Sequence, residues 1–85
     1  MNKTEIQKMF PIGNVMTIRE FIKCVECGGF IPYDGYGYYY DEKKRAETKE
    51  EVSFDIETLQ ERAKKYKHVI WYNRWIQDFV RHKRE

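Results

Sequence analysis

Apolar residues mark out one helix clearly. Four of them follow the i, i+3, i+4, i+7 spacing of a single helix face: Ile18, Phe21, Ile22 and Val25. Thr17 and Glu20 have the spacing of a capping box, in which each side chain bonds the backbone amide of the other residue. Gly28 and Gly29 then favour termination, because glycine readily adopts the left-handed conformation that ends helices. The pattern predicts a helix over residues 18–27.

A second helix is predicted after Asp55, which is a suitable N-cap. Its apolar face has three members: Ile56, Leu59 and Ala63. The β-branched and aromatic residues 69–72 that follow are typical of a strand. Asn73 can then cap a final helix over residues 74–83. The apolar side of that helix comprises Trp75, Ile76, Phe79 and Val80.

Between these helices the sequence predicts a β-hairpin. Asp34-Gly35 separates two β-prone runs, residues 30–33 and 36–40, and Asp-Gly favours the tight turn of a hairpin. Residues 41–51 are almost entirely charged and have no periodic apolar face, which predicts a mobile loop. Residues 52–54 are predicted to form a short strand.

The N-terminal residues 1–15 are weakly patterned, and Pro11 and Gly13 prevent a helix from continuing through them. We therefore expect an N-terminal extension there, followed by a single domain over residues 16–85. The order of helix, hairpin, strand, helix, strand and helix predicts an α+β fold. We expect a small, mostly antiparallel sheet, made of the hairpin plus one or two strands, with two to three helices packed on one face.

Composition is that of a globular protein. Apolar residues make up 41% and aromatic residues 16% of the 85 residues, which is too rich for disorder. No apolar run reaches the roughly 18–20 residues of a membrane span, and no apolar segment near the N-terminus resembles a signal peptide. We expect a cytoplasmic protein without a membrane partner. A core this small also favours a homo-oligomer, most simply a dimer joined through the last helix.

Charge is unevenly distributed although the net charge is only +2. Residues 41–61 hold four basic and eight acidic side chains, whereas residues 62–85 hold eight basic and two acidic ones. A basic C-terminal third favours an anionic partner such as nucleic acid. It is equally consistent with a solvated face, or with one that pairs with the acidic middle of the same chain.

Cys24 and Cys27 have the spacing of half a zinc knuckle. The remaining ligands would have to be His68 and His82, which lie fourteen residues apart. Zinc fingers space their histidines by about three to five residues. Both cysteines also fall at the end of the predicted helix. We interpret them as structural thiols and predict no metal; a metal shared across a dimer and a redox pair are the alternatives.

Known catalytic motifs do not occur in the sequence. It contains no glycine-rich phosphate loop, no G-x-S-x-G and no H-E-x-x-H. Ser53 and Cys27 are the candidate nucleophiles, and no residue is spaced to activate either. We expect a protein that is not an enzyme and that has no catalytic residues and no cofactor.

Aromatic residues of the predicted strands provide the candidate binding site. Alternate residues of a strand point to the same side, so three tyrosines of residues 36–40 should share one face. The full candidate set adds the end of the last strand: Tyr36, Tyr38, Tyr40, Trp71, Tyr72, Asn73 and Arg74. Such rings beside an arginine can stack on a nucleotide, anchor a protein interface or pack in the core, and all three interpretations stay open here.

Four segments carry a resemblance to a protein group. They are Met16-Thr17-Ile18-Arg19-Glu20-Phe21-Ile22, Asp34-Gly35-Tyr36-Gly37-Tyr38-Tyr39, Val52-Ser53-Phe54-Asp55 and His68-Val69-Ile70-Trp71-Tyr72-Asn73. Through them residues 16–74 resemble small uncharacterised accessory proteins of bacteriophages and prophages. The resemblance implies an inhibitor of bacterial anti-phage defence that contacts an effector protein or binds a nucleotide signal. It assigns no site residue, and it does not extend to residues 75–85.

These observations together lead to one functional expectation and one alternative. We expect a non-enzymatic phage-type accessory protein, in the host cell cytoplasm, that antagonises a host defence system by stoichiometric binding. Its partner would be a nucleotide signal or a host defence protein. The alternative is a small nucleic-acid-binding module that uses the basic C-terminal third.

Overall fold

The structure is a computed structural model that describes residues 2–29 and 33–74. These ranges contain three helices and four strands: α1 (Lys3–Met9), β1 (Asn14–Thr17), α2 (Ile18–Glu26), β2 (Gly35–Asp41), β3 (Ala46–Glu51), α3 (Ile56–Arg62) and β4 (His68–Asn73). The strands form one antiparallel sheet in the order β1-β4-β2-β3. The predicted α+β fold with an antiparallel sheet is confirmed. Of the predicted helix 74–83, residues 75–83 lie outside the described residues.

Helix α2 begins and ends at its sequence signals. Thr17 Oγ1 accepts a hydrogen bond from Glu20 N at 3.1 Å, and Glu20 Oε1 accepts one from Thr17 N at 3.0 Å. The bond from the Thr17 backbone amide holds the pKa of the Glu20 carboxyl below its usual value. At the other end Gly28 has a φ of 73°, and Gly29 N donates to Cys24 O at 2.7 Å. This is a Schellman ending, so the predicted helix is confirmed.

Helix α3 also begins where the sequence indicates. The Asp55 carboxylate accepts a hydrogen bond from Thr58 N at 3.1 Å, which caps the helix. Leu59 is fully buried and Ile56 is half-buried, but Ala63 is exposed. The predicted apolar face is therefore present but narrower than expected.

Residues 2–15 are an integral part of the fold, which corrects the expectation that residues 1–15 are an N-terminal extension. They contain α1 and the start of β1, whose Val15 pairs with Ile70 of β4. The Ile6 side chain is completely buried. The Gln7 side chain joins the helix to the strand, donating to Gly13 O at 2.7 Å and accepting from Val15 N at 3.0 Å. The prediction was wrong because so short a helix shows no clear periodicity, and its apolar contacts lie far away in sequence.

Strands β2 and β3 form the hairpin, whereas the sequence predicted it one strand earlier, between residues 30–33 and 36–40. Gly35 begins β2 instead of completing a turn with Asp34, and β2 pairs with β3 through a turn at residues 42–45. The Asp41 carboxylate accepts hydrogen bonds from two backbone amides of that turn, at 3.0 and 3.1 Å. Arg45 has a positive φ of 50°. The Asp41 side chain thus satisfies backbone amides of the turn, as Asp side chains commonly do at turns.

The segment predicted as a mobile loop at residues 41–51 contains strand β3, so that prediction was wrong. Its charged sequence is compatible with a strand because β3 lies at the edge of the sheet, where charged side chains are common. The short strand predicted at residues 52–54 is not formed, although Val52 N donates to Gly37 O at 2.9 Å. Residues 30–32 of the predicted first hairpin strand lie outside the described residues.

Helices cover both faces of the sheet, which corrects the expectation of a single covered face. Helices α2 and α3 lie on the α2/α3 face, over a core cluster of Ile18, Phe21, Tyr39, Val52, Leu59, Val69 and Trp71. Helix α1 lies on the opposite α1 face, over a smaller cluster of Ile6, Val15, Tyr40 and Ile70. Because α1 has only seven residues, it covers one end of its face. None of the described helices is long and apolar enough to span a bilayer.

Candidate functional site

The seven predicted site residues are divided between the two faces of the sheet. Three lie together on the α1 face and are half-buried: Tyr36, Tyr38 and Tyr72. Tyr40 and Trp71 belong to the core, at 0% and 1% exposure. Asn73 is half-buried on the α2/α3 face, and Arg74 is exposed just beyond the end of β4. The structure therefore brings together only part of the predicted set.

Tyr36, Tyr38 and Tyr72 form a cluster that we call the tyrosine face. Tyr36 and Tyr72 are direct cross-strand partners, and their rings stack with centroids 5.3 Å apart. Tyr38 meets both rings edge-on, at 5.8 Å from Tyr36 and 6.5 Å from Tyr72. Stacked and edge-on contacts are the arrangements that aromatic pairs prefer. The three rings therefore hold one another in place.

Alternating glycines explain why Tyr36 and Tyr38 of β2 point away from Trp71. A Cβ added to Gly37 would lie 3.2 Å from Cε3 of Trp71 and 3.0 Å from Ile70 O. A Cβ on Gly35 would lie 3.0 Å from Cζ2 of the same ring. Only glycine leaves room for the indole at these positions. The Gly-Tyr-Gly-Tyr sequence thus places its glycines towards Trp71 and its tyrosines on the opposite face.

Trp71 and Tyr40 are buried, which corrects the prediction that their rings are available to bind a ligand. Trp71 packs against Phe21 and Phe54, with ring centroids 5.6 and 5.8 Å apart. Tyr40 shares its face with the other tyrosines, but α1 covers it and Phe10 meets its ring edge-on at 6.1 Å. Neither ring presents a surface to a ligand. The alternation of β4 places Trp71 and Tyr72 on opposite faces, and the sequence does not indicate which face is covered.

Two carboxylates of β3 border the tyrosine face. The Tyr72 hydroxyl donates a hydrogen bond to Glu47 Oε2 at 2.5 Å. Burial and this bond together raise the pKa of Tyr72 above its ordinary value. Glu51 is the cross-strand partner of Tyr38, and burial followed by the charge of Glu51 raises the pKa of Tyr38. Both hydroxyls therefore stay protonated at neutral pH beside an acidic border.

A cleft of about 350 Å³ lies at one end of the tyrosine face. Tyr36, Tyr38, Glu51 and Arg74 are among its lining residues. Its volume falls within the range of small-ligand sites, roughly 300–1,000 Å³. The Arg74 backbone amide donates to Asp34 O at 2.8 Å, which holds this residue at the end of the sheet. The cleft thus has a carboxylate and a guanidinium side chain among its walls.

Three basic residues of the C-terminal third gather at a different place. Lys64, Lys65 and Lys67 follow α3, and together with Arg19 of α2 they line a cleft of about 480 Å³ that we call the basic cleft. Ile18 N donates to Lys67 O at 3.0 Å, which brings the start of α2 to the connection between α3 and β4. Sequence reasoning missed Arg19 because it precedes the lysines by 45 residues or more.

The candidate metal ligands and nucleophiles that the structure describes lie outside both the tyrosine face and the basic cleft. Cys24 is half-buried and Cys27 is exposed, and both are free thiols. His68 is buried, with Nδ1 at 2.8 Å from Glu42 Oε1, whereas His82 lies outside the described residues. Ser53 Oγ accepts a hydrogen bond from Asp55 N at 3.0 Å. Within residues 2–29 and 33–74, no three or more His, Cys, Asp or Glu side chains are grouped so as to hold a metal ion.

Comparison with known proteins provides no relative for this arrangement. No protein-family model, curated protein or solved structure matches the chain. The tyrosine face and the basic cleft are therefore interpreted from their own chemistry.

Proposed function

We propose that this chain is a non-enzymatic binding protein that holds a partner protein on the tyrosine face. The main support is the mutual contact of the Tyr36, Tyr38 and Tyr72 rings at half-buried positions. Tyrosine has an apolar ring and a polar hydroxyl on one side chain, which suits a surface that is exposed to water in the free protein and covered in a complex. It is also enriched among the residues that dominate the energetics of protein interfaces.

Mutual contact also lowers the entropic cost of binding. Immobilising a rotamer-rich side chain at an interface costs about 0.5–1.5 kcal/mol. The rings of the tyrosine face already pack on one another, and Tyr72 is further held by Glu47. Such a surface loses little additional freedom when a partner covers it. Preorganisation therefore favours binding on this part of the sheet.

Charge indicates what kind of partner fits. Glu47 and Glu51 lie beside the rings, so a partner that presents arginine or lysine would meet complementary charge. A guanidinium group can in addition stack on a tyrosine ring. A nucleotide is the alternative ligand for these residues, and Arg74 at the end of the tyrosine face would attract its phosphates. The two carboxylates beside the rings outnumber this single cation and would repel them. We therefore favour a basic segment of a partner protein.

The wider role that we propose follows the resemblance of residues 16–74 to phage accessory proteins. In that role the chain would antagonise a host defence system by binding an effector protein stoichiometrically, without chemical turnover. The tyrosine face would be the contact surface, and the basic segment would belong to the effector.

Short peptides that are identical except for one central residue provide the test. We expect a peptide with Arg to bind most tightly, followed by Lys, and peptides with Gln or Glu to bind much more weakly. Amide NMR titration should place the largest shifts at Tyr36, Tyr38 and Tyr72. Tyr38→Ala and Glu51→Gln should each weaken binding of the Arg peptide about tenfold, which is the size of a moderate interface hot spot.

Matched variants elsewhere on the surface serve as controls. Tyr33 is 83% exposed and Glu57 is an exposed residue of α3, so Tyr33→Ala and Glu57→Gln should leave the affinity unchanged. Equal affinity for the Arg and Glu peptides, shifts confined to another surface, or no binding of any peptide would contradict the proposal.

A further inference from the structure

The basic cleft is separate from the tyrosine face and has the opposite charge. It lies between the start of α2 and the connection that follows α3, and four of its lining residues are cationic: Arg19, Lys64, Lys65 and Lys67. An adjoining cleft of about 350 Å³ shares Lys65 and Lys67 and adds Lys43. Asp41 and Glu42 also line this adjoining cleft, so the strongly positive surface is that of the basic cleft itself.

Among the residues that the structure describes, three of the four cations have no ionic partner. Lys64 Nζ lies 3.5 Å from Glu61 Oε1, but both groups are exposed, and such pairs contribute little. In the part of the chain that the structure describes, Arg19, Lys65 and Lys67 form no ion pair. Cationic side chains that line one cleft without counter-charges produce a positive potential that attracts anions.

Nearby carboxylates already have other partners. Glu20 bonds the Thr17 amide and lies 3.4 Å from Lys3 Nζ. Glu42, which lines the adjoining cleft, lies 2.8 Å from His68. Asp41, the other acid of the adjoining cleft, accepts hydrogen bonds from the Lys43 and Lys44 backbone amides. Among the described residues, none of these three carboxylates forms an ion pair with a cation of the basic cleft.

The aromatic ring in the cleft indicates which part of a ligand is recognised. Tyr66 stacks on Tyr39 with centroids 5.3 Å apart, and Lys65 Nζ lies over the Tyr66 ring at 5.2 Å. Because the ring already has both contacts, it is not available to stack on a base. Recognition in this cleft would come from charge alone, and the multiply charged anion that matches a group of cations is phosphate.

We propose that the basic cleft binds the phosphate groups of a nucleic-acid strand or of a nucleotide. The site is formed by the tertiary structure, since Arg19 comes from α2 and the lysines follow α3. It would operate independently of the tyrosine face, which has an acidic border. The chain would then have two binding surfaces, one for a basic protein segment and one for phosphates.

Salt-dependent binding of a labelled single-stranded oligonucleotide tests this site. Each phosphate that is neutralised on a single strand contributes about −0.7 to the slope of log K against log salt. Three unpaired cations should give a slope of about −2, so that raising salt from about 50 to about 200 mM weakens binding about 20-fold. The double variant Arg19→Gln, Lys67→Gln should weaken low-salt binding at least about tenfold and reduce the slope to about −0.7.

The matched control removes the same charge elsewhere. Lys8 and Lys49 are exposed and lie outside the cleft lining, so Lys8→Gln, Lys49→Gln should leave the slope and the affinity nearly unchanged. Tyr38→Ala should also have no effect, which separates this site from the tyrosine face. Both double variants should show an unchanged melting temperature.

Competition with a nucleoside triphosphate distinguishes the two sources of phosphate. If the nucleotide binds more tightly than the oligonucleotide and loses affinity in the Arg19→Gln, Lys67→Gln variant, the site is a nucleotide site. If the oligonucleotide binds more tightly, the ligand is a nucleic-acid strand. Equal losses in both double variants, or no binding of either ligand at about 50 mM salt, would overturn the proposal.

Discussion

The two faces of the sheet are covered to different extents. On the α2/α3 face, two capped helices enclose a large aromatic core centred on Trp71, which is 1% exposed. On the α1 face, one seven-residue helix covers Tyr40 but leaves Tyr36, Tyr38 and Tyr72 half-buried. Both faces are rich in aromatic residues, so composition does not distinguish them. The difference lies in how much of each face a helix reaches.

Because of this difference, we expect one face of the sheet to contribute mainly to stability and the other mainly to binding. Removal of a fully enclosed ring leaves a cavity that the surroundings cannot fill, whereas removal of a half-buried ring exposes its neighbours to water. The α2/α3 face should therefore be sensitive in stability measurements, and the tyrosine face in binding measurements. Three pairs of substitutions test that comparison.

The largest expected effect is that of Trp71→Ala. Loss of a buried tryptophan costs roughly 3–5 kcal/mol, which is enough to unfold many domains of this size. Tyr38→Ala removes a half-buried ring from the other face, and we expect a loss of about 1 kcal/mol. Urea unfolding of the two variants measures both values. Similar losses would show that the two faces do not differ in this way.

Ile6→Ala tests whether α1 stabilises its face. Ile6 is fully buried, and truncation of a buried isoleucine costs about 2–5 kcal/mol; we expect the lower end because a terminal helix can detach locally. Ile12 in the same segment is 41% exposed, so Ile12→Ala should cost no more than about 0.5 kcal/mol. Chemical denaturation measures both losses. A loss for Ile6→Ala as small as that for Ile12→Ala would show that α1 does not stabilise its face.

The smallest effect concerns Tyr72 at high pH. Because burial and the bond to Glu47 raise its pKa, the folded state holds the phenol proton more tightly than the unfolded chain. The stability from this difference is complete below about pH 10, the ordinary pKa of tyrosine, and is lost as the pH rises above it. Tyr72→Phe should therefore make the free energy of unfolding less dependent on pH above about 10.

Tyr33→Phe, at a position that is 83% exposed, is the control and should leave that dependence unchanged. Urea unfolding on either side of pH 10 measures it. A Tyr72→Phe protein with the same dependence as the native chain would mean that the Tyr72 hydroxyl is not held in solution as the structure describes.

Local signals in the sequence were sufficient to predict helices α2 and α3 and strand β4. The capping box of Thr17 and Glu20, the Gly28 ending and the Asp55 cap are interactions among residues within five positions of one another. Residues 69–72 have β-prone side chains throughout. The shared face of Tyr36 and Tyr38 also follows from strand periodicity alone. Each of these features depends on residues that are close together in the sequence, so it can be predicted without knowledge of the tertiary structure.

Tertiary structure decided the remainder, because it depends on contacts between distant segments. Neither β1 nor β3 has a strong local strand pattern. The charged β3 is a strand because it pairs with β2, and β1 is a strand because it pairs with β4. Periodicity separated Trp71 from Tyr72, but only the placement of helices on both faces determined which ring is core and which is half-exposed. Arg19 joined the lysines of the basic cleft in the same way, through the packing of α2 beside the end of α3.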